Sequence, residues 1–174
     1  MKPGFLWGAA TSAHQIEGEN VHSDWWAFEQ DGRVEGGARS GLATNHRKLF
    51  AHDLQLASNL GLNAYRFSIE WVRIEPKEGQ WDESALEWYV ELVRECRRQG
   101  LEPMATLHHF TLPKWFADRG GFAQADAPQF FLRYVERVLS RLADHVTFWC
   151  TFNEPMVLAI GSYLGRFMPP AVLS

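Results

Sequence analysis

The chain has 174 residues, room for one domain with a substantial apolar core. Its formal net charge of −4 comes without a long basic run, which argues against a nucleic-acid surface, and no apolar stretch is long enough to span a bilayer. The start, MKPGFLWGAATSA, lacks a basic segment followed by a sustained apolar run, so no secretory leader is read there.

Taken in chain order, GFLWGAA predicts a short strand, followed by a polar, Gly-rich loop from about Glu17 to Thr44. HRKLFAHDLQLASNLG predicts a helix with Leu49, Leu56 and Leu60 on one face and Gly61 as its stop. NAYRFSIEW predicts a strand. WDESALEWYVELVRECRRQG predicts a helix opened by a Ser84-x-x-Glu87 capping box, with Leu86, Val90 and Val93 inward. LEPMATLHHF predicts the third strand. APQFFLRYVERVLSRLADH predicts a helix opened by Asp126 and Pro128, with Phe131, Val135, Val138 and Leu142 on one side. VTFWCTF predicts the fourth strand. Cys96 and Cys150 fall in a helix and a strand pattern, which suggests reduced core thiols and a cytoplasmic chain.

Strands alternating with helices at this spacing are the pattern of βαβ units around a parallel sheet. No G-x-G-x-x-G turn follows the first strand, which disfavours a dinucleotide-binding sheet. The expected fold is α/β, a (β/α)8 barrel of which this chain supplies about the first four units. Polar residues gather where each strand ends: Gln15, then Arg66 and Glu70, then His108 and His109, then Asn153 and Glu154. In such barrels the active site lies on that C-terminal face, so these groups should converge on one mouth.

Glu154 is the candidate proton donor, since partial desolvation at a barrel mouth raises a carboxyl towards the range of a general acid. The bland alternative is an Asn-Glu-Pro that only starts a loop. Neighbouring His108 and His109 should point to opposite faces, one to the mouth and one packed away, which argues against a shared metal; no metal or other cofactor is expected. Arg66 inside an apolar strand needs an anion, and Glu70 and Glu75 are the local choices. The eight tryptophans suit a large core, and those near strand ends suit sugar faces.

FLWGAATSAHQIEG, NAYRFSIEWVRIEP, TLHHFTLPKWFADRGGF and FWCTFNEP, in this order, resemble glycoside hydrolase family 1 over essentially the whole chain. The resemblance implies a retaining β-glycosidase acting on a β-glycoside or small oligosaccharide. It further implies that Glu154 is the acid/base and that Asn153 binds the hydroxyl next to the anomeric carbon. Gln15 and His109 would hold hydroxyls on the far side of the glycone, with Phe110 beside them, and Arg66 would contact the nucleophile and keep it ionised. That nucleophile would lie about 5–5.5 Å from the acid/base. The family usually has Tyr-His-Trp where this chain has His108, His109 and Phe110, so one glycone hydrogen bond is missing. His14 stands for a usual tyrosine and Phe122 for a usual tryptophan. Presence of the acid/base argues for O-glycosides rather than thioglycosides.

The family's nucleophile belongs to a Thr-Glu-Asn-Gly motif on a seventh strand, and no such motif occurs here. Residues 1–174 are therefore expected to be the N-terminal half of one barrel domain, an enzyme seen in part. A complementary C-terminal half or self-association would complete it. The alternative is an inactive truncated or split fragment, or a non-catalytic sugar-binding remnant.

Overall fold

The computed structural model describes residues 4–171. Four strands, β1 (Gly8–Ala10), β2 (Ala64–Ser68), β3 (Glu102–His108) and β4 (Phe148–Phe152), form one parallel sheet in the order β1-β2-β3-β4. Arg66 pairs in register with Met104, Thr106 with Cys150, and His108 with Phe152. Gly8 is required where β1 meets β2, because a Cβ there would lie 2.7 Å from the Ala64 carbonyl oxygen.

Three long helices follow the first three strands: α3 (His46–Asn59), α5 (Glu83–Arg98) and α7 (Ala127–Leu142). They cover one face of the sheet. Tyr65, Phe67, Ala105 and Leu107 from the strands pack with Leu86, Tyr89, Val90 and Val93 of α5 and Tyr134, Val138 and Leu142 of α7. Burying these side chains, each contributing about 1.5–3 kcal/mol, is what holds the layers together. Trp71 is the largest fully buried side chain, stacked on Tyr134 at 4.9 Å between ring centroids, with Phe116, Phe131 and Trp115 around it. It lies just past β2, in the short helix α4 (Trp71–Ile74), rather than in the strand. Four parallel strands with helices on one face are the layout expected for the opening units of a (β/α)8 barrel.

Several expectations need correction. The Glu17–Thr44 segment is not all loop: α1 (Ala13–Ile16) precedes it, and α2 (Asp24–Gln30) and a 3₁₀ turn at Glu35–Gly37 lie within it. α2 forms because Ser23 accepts from the Trp26 amide as its N-cap. On α3 the apolar face is misplaced. Leu49, Leu56 and Leu60 are exposed, and the buried stripe runs through His46, Leu54 and Ala57, with Phe50 partly covered. Both stripes share the helical period, and the His46 side chain, hydrogen-bonded to Asp53 and lying against Tyr65 and Trp88, decides the phase. The cap of α5 is Asp82, not Ser84, because its carboxylate accepts from both the Ser84 and Ala85 amides. Asp126 precedes α7 without capping it through its side chain, and pairs with Arg119 instead.

The two sheet edges differ from the middle. Phe5, Leu6 and Trp7 are exposed beside β1. After β4 there is only the short α8 (Pro155–Leu158), running into a π-type turn at Ala159–Leu164. Among the described residues no long helix covers β4 as α3, α5 and α7 cover its predecessors. Met156, Val157, Ile160, Leu164 and Phe167 are exposed there, and Phe148 is 40% exposed.

Candidate active site

The site is built where β2, β3 and β4 end. Strand alternation turns Tyr65 and Phe67 towards the helices and Arg66 to the other face. The Arg66 guanidinium donates through Nε to Thr106 Oγ1 at 2.8 Å and through Nη2 to Asn153 Oδ1 at 2.8 Å, with Cys150 Sγ at 3.5 Å. Arg66 makes no ion pair among the described residues. The expectation of a local carboxylate partner therefore fails: Glu70 is taken by Thr111, and Glu75 by Trp71, the Gly79 amide and Arg133. Both glutamates are buried, as is Glu17, which is held by Arg73 and Tyr89. None of the three is placed to act on a substrate.

Asn153 is buried at 8% exposure. Its backbone N–H donates to the His108 carbonyl at 2.9 Å, and its side-chain oxygen is committed to Arg66. Its amide nitrogen has no protein acceptor among the described residues.

The two histidines differ in their surroundings. His108 is buried in an aromatic cage of Phe122, Phe131 and Phe152, with centroids 5.0–6.5 Å away, and its Nε2 has no partner among the described residues. Burial pushes its ring down to about 3. His109 lies on the Arg66 side. Burial, and then the Arg66 charge, lower it to about 4. Both rings are therefore neutral at neutral pH, and neutral His109 can donate or accept a hydroxyl hydrogen bond. Phe110 follows with its ring 5.2 Å from that of His109, and its backbone is in the left-handed region at φ 70°.

Glu154 also sits at positive φ, 45°, immediately before α8. Pro155 at the first helical position starts that helix because its φ is already set and its missing N–H is not needed. The carboxylate is exposed, so the desolvation expected of it is absent from this arrangement. Gln15 lies in α1 and is exposed, with its amide oxygen accepting from Ser12 Oγ at 2.7 Å. It makes no hydrogen bond to the Arg66 group among the described residues.

The structure thus joins Arg66 and Asn153 directly and sets His109 near enough for the Arg66 charge to lower its ring. Phe110 and Glu154 are attached to that group by adjacency in the chain, and Gln15 stands apart at the end of β1. A shallow cavity of about 200 Å³ opens along the same uncovered sheet face, lined by Leu6, Ala10, Ala64, Arg66, Met104 and Phe148. Thr106 and Cys150 were missed as site residues. Their place on the Arg66 face follows from strand register, since Arg66 pairs with Met104, two residues before Thr106, and Thr106 pairs with Cys150.

A family model described as Glycosyl hydrolase family 1 matches residues 1–174. Thermostable beta-glucosidase B of Thermobispora bispora is 41% identical over 161 residues, covering 90% of this chain and 34% of that protein. Beta-glucosidase A of Thermotoga maritima is 34% identical over 168 residues, covering 92% of this chain and 38% of that protein. Among solved structures, the beta-glycosidase from Pyrococcus horikoshii superposes with a TM-score of 0.92 at 44% identity, over 100% of this chain and 40% of that one. The Thermotoga maritima beta-glucosidase in complex with castanospermine gives 0.95 at 32% identity, over 100% of this chain and 41% of that one. The chain therefore spans about two fifths of the length of the relatives it matches.

Proposed function

Because the chain belongs to glycosyl hydrolase family 1, we propose that its strand-end groups are the N-terminal part of a retaining β-glycosidase site for O-linked β-glycosides. The observation that carries this reading is the Arg66 guanidinium, which among the described residues is held by Thr106, Cys150 and Asn153 without a carboxylate and is set beside an open face. A cation held in this way calls for an anion, and a nucleophilic carboxylate brought by further barrel strands supplies one.

In the reaction, Glu154 gives its proton to the glycosidic oxygen as the nucleophile attacks the anomeric carbon and the C–O bond breaks. Glu154, now a carboxylate, then takes a proton from the water that displaces the nucleophile and releases the sugar. The Asn153 amide donates to the hydroxyl next to the reacting carbon. His109, Phe110 and Gln15 hold the rest of the glycone. We read residues 1–174 as part of a single barrel domain acting on a β-glycoside or small oligosaccharide. The unpaired Cys96 and Cys150 thiols fit a cytoplasmic setting.

The exposed apolar residues at both sheet edges fit completion by a C-terminal barrel half, with self-association as the other way to cover them. A second reading, a sugar-binding remnant without turnover, is favoured by one fact: Glu17, Glu70 and Glu75 are all buried and engaged. The two are separated by assaying aryl β-glucoside hydrolysis. The isolated chain should show none. Co-expression with the segment of Thermotoga maritima beta-glucosidase A beyond the matched residues should restore turnover, and Glu154→Gln should abolish it. A complex that forms and binds sugar without turnover would establish the remnant. Glu154-dependent turnover by the isolated chain would overturn the need for a complement.

A further inference from the structure

His109, Phe110 and Thr111 form a turn that needs to be held. The Thr111 amide donates to the His109 carbonyl at 2.9 Å, an i to i+2 bond around a residue at φ 70°. That is the rare, strained form of the γ-turn, adopted here by a phenylalanine. Such a conformation persists only where its surroundings over-determine it. Thr111, which closes the turn, and Leu112, which follows it, are each fixed by a buried carboxyl group. Thr111 Oγ1 donates to Glu70, 2.8 Å from both carboxylate oxygens. The Leu112 amide donates to Asp24 Oδ1 at 2.9 Å, and the Leu112 carbonyl accepts from the Asp24 amide at 3.0 Å.

Glu70 is 2% exposed and Asp24 5%, and Asp24 Oδ2 has no partner among the described residues. Burying two carboxyl groups this deeply is costly, and burial pushes Asp24 up to about 8 and Glu70 up to about 7. Neither touches the sugar-facing groups. Glu70 is in turn locked by the Tyr89 hydroxyl, which accepts from the Glu70 amide and donates to Glu17; Glu17 is paired with Arg73. From α7, the Tyr134 hydroxyl donates to the Ile69 and Leu107 carbonyls, fastening the ends of β2 and β3 together.

We propose that Glu70 and Asp24 are positioning residues, a pair of carboxyl anchors that hold the strained His109–Thr111 turn and so aim His109 and Phe110 at the glycone. The role assigned to the two rings rests on the reading of the site given above; the anchoring itself does not. The anchors act through consecutive residues, so loss of either should loosen the turn without disturbing the sheet beneath it.

The test is amide hydrogen exchange together with the NMR resonances of the His109 ring in the full chain. Thr111→Val removes the hydroxyl at nearly constant volume. It should speed exchange of the residue 111 amide at least tenfold and shift the His109 ring signals, while amides of α5 and the middle of β3 stay as in the wild type. Thr111→Ser, which keeps the hydroxyl, should restore both. If Thr111→Val does not fold, Asp24→Ala is read in the same way through the Leu112 amide. Unchanged exchange at residues 111 and 112 and an unmoved His109 ring would overturn the proposal. A loosened turn in a protein whose wild type binds no β-glucoside would leave the anchors standing and count against the reading of the site.

Discussion

Glu70 gives a prediction about stability and pH whose sign is opposite to that of most carboxylates. Its carboxyl is raised from an ordinary 4.5 to about 7, first by burial and then by the Glu17 charge. Between those two pH values the folded chain holds a proton that the unfolded chain has lost. Stability from this group is therefore full below about pH 4.5, falls as pH rises, and levels off above about 7. At about 1.4 kcal/mol per pH unit, the loss is roughly 3 kcal/mol. Asp24, raised from 3.8 to about 8, acts in the same direction. The histidines act against both. His14, His108 and His109 are all lowered by burial, so each adds stability as pH rises towards its ordinary value of 6.5. A raw stability curve would mix these contributions, so the perturbation must isolate one group. Glu70→Gln keeps an acceptor for Thr111 and removes the titration. Urea unfolding followed by tryptophan fluorescence at pH 4.5, 6 and 7.5 should then show wild type losing roughly 3 kcal/mol relative to the variant across that range. Arg73, Glu17, Asp24, Tyr89 and Tyr134 surround the group in both proteins, so their effects largely cancel. A difference that stays constant with pH would refute the argument that burial sets the state of Glu70.

The neutral state of the two strand-end histidines gives a second expectation. The ring signals of His108 and His109 should not titrate between pH 5.5 and 8, whereas an inflection near 6.5 in either would show that it is solvated. Leu86 is fully buried between α5 and the sheet, so Leu86→Ala should cost about 2–5 kcal/mol in urea unfolding; a loss below 1 kcal/mol would mean that this layer is loosely packed. Glu154 is exposed and accepts no side-chain cap hydrogen bond. Glu154→Gln should therefore leave chain stability within about 0.5 kcal/mol, while the reading proposed above expects it to abolish turnover in a completed barrel. A larger loss of stability would mark Glu154 as a structural residue.

What could be read from the sequence, and what could not, divides along physical lines. The strand-helix alternation and the strand-end polar residues were legible because they depend on local period and on chain order. Thus Arg66 and Asn153 do meet, and His109 lies within reach of the Arg66 charge. Phase was less legible than period: on α3 the sequence offers two apolar stripes, and only the tertiary partners Tyr65 and Trp88 choose between them. Partner choice among like charges was not legible at all. Glu70 and Glu75 lie near Arg66 in sequence, yet both fall past the end of β2, at the two ends of α4, where they turn into packed surroundings while Arg66 in the strand faces the open side. The same geometry that denies Arg66 its local anions leaves it available for one from outside. A buried Glu70 that serves the turn and an Arg66 without an ion pair among the described residues therefore both follow from β2 ending at Ser68, before the chain reaches Glu70. A carboxylate moved from the packed side to the mouth would satisfy Arg66, but it would release the His109–Thr111 turn that gives the mouth its shape.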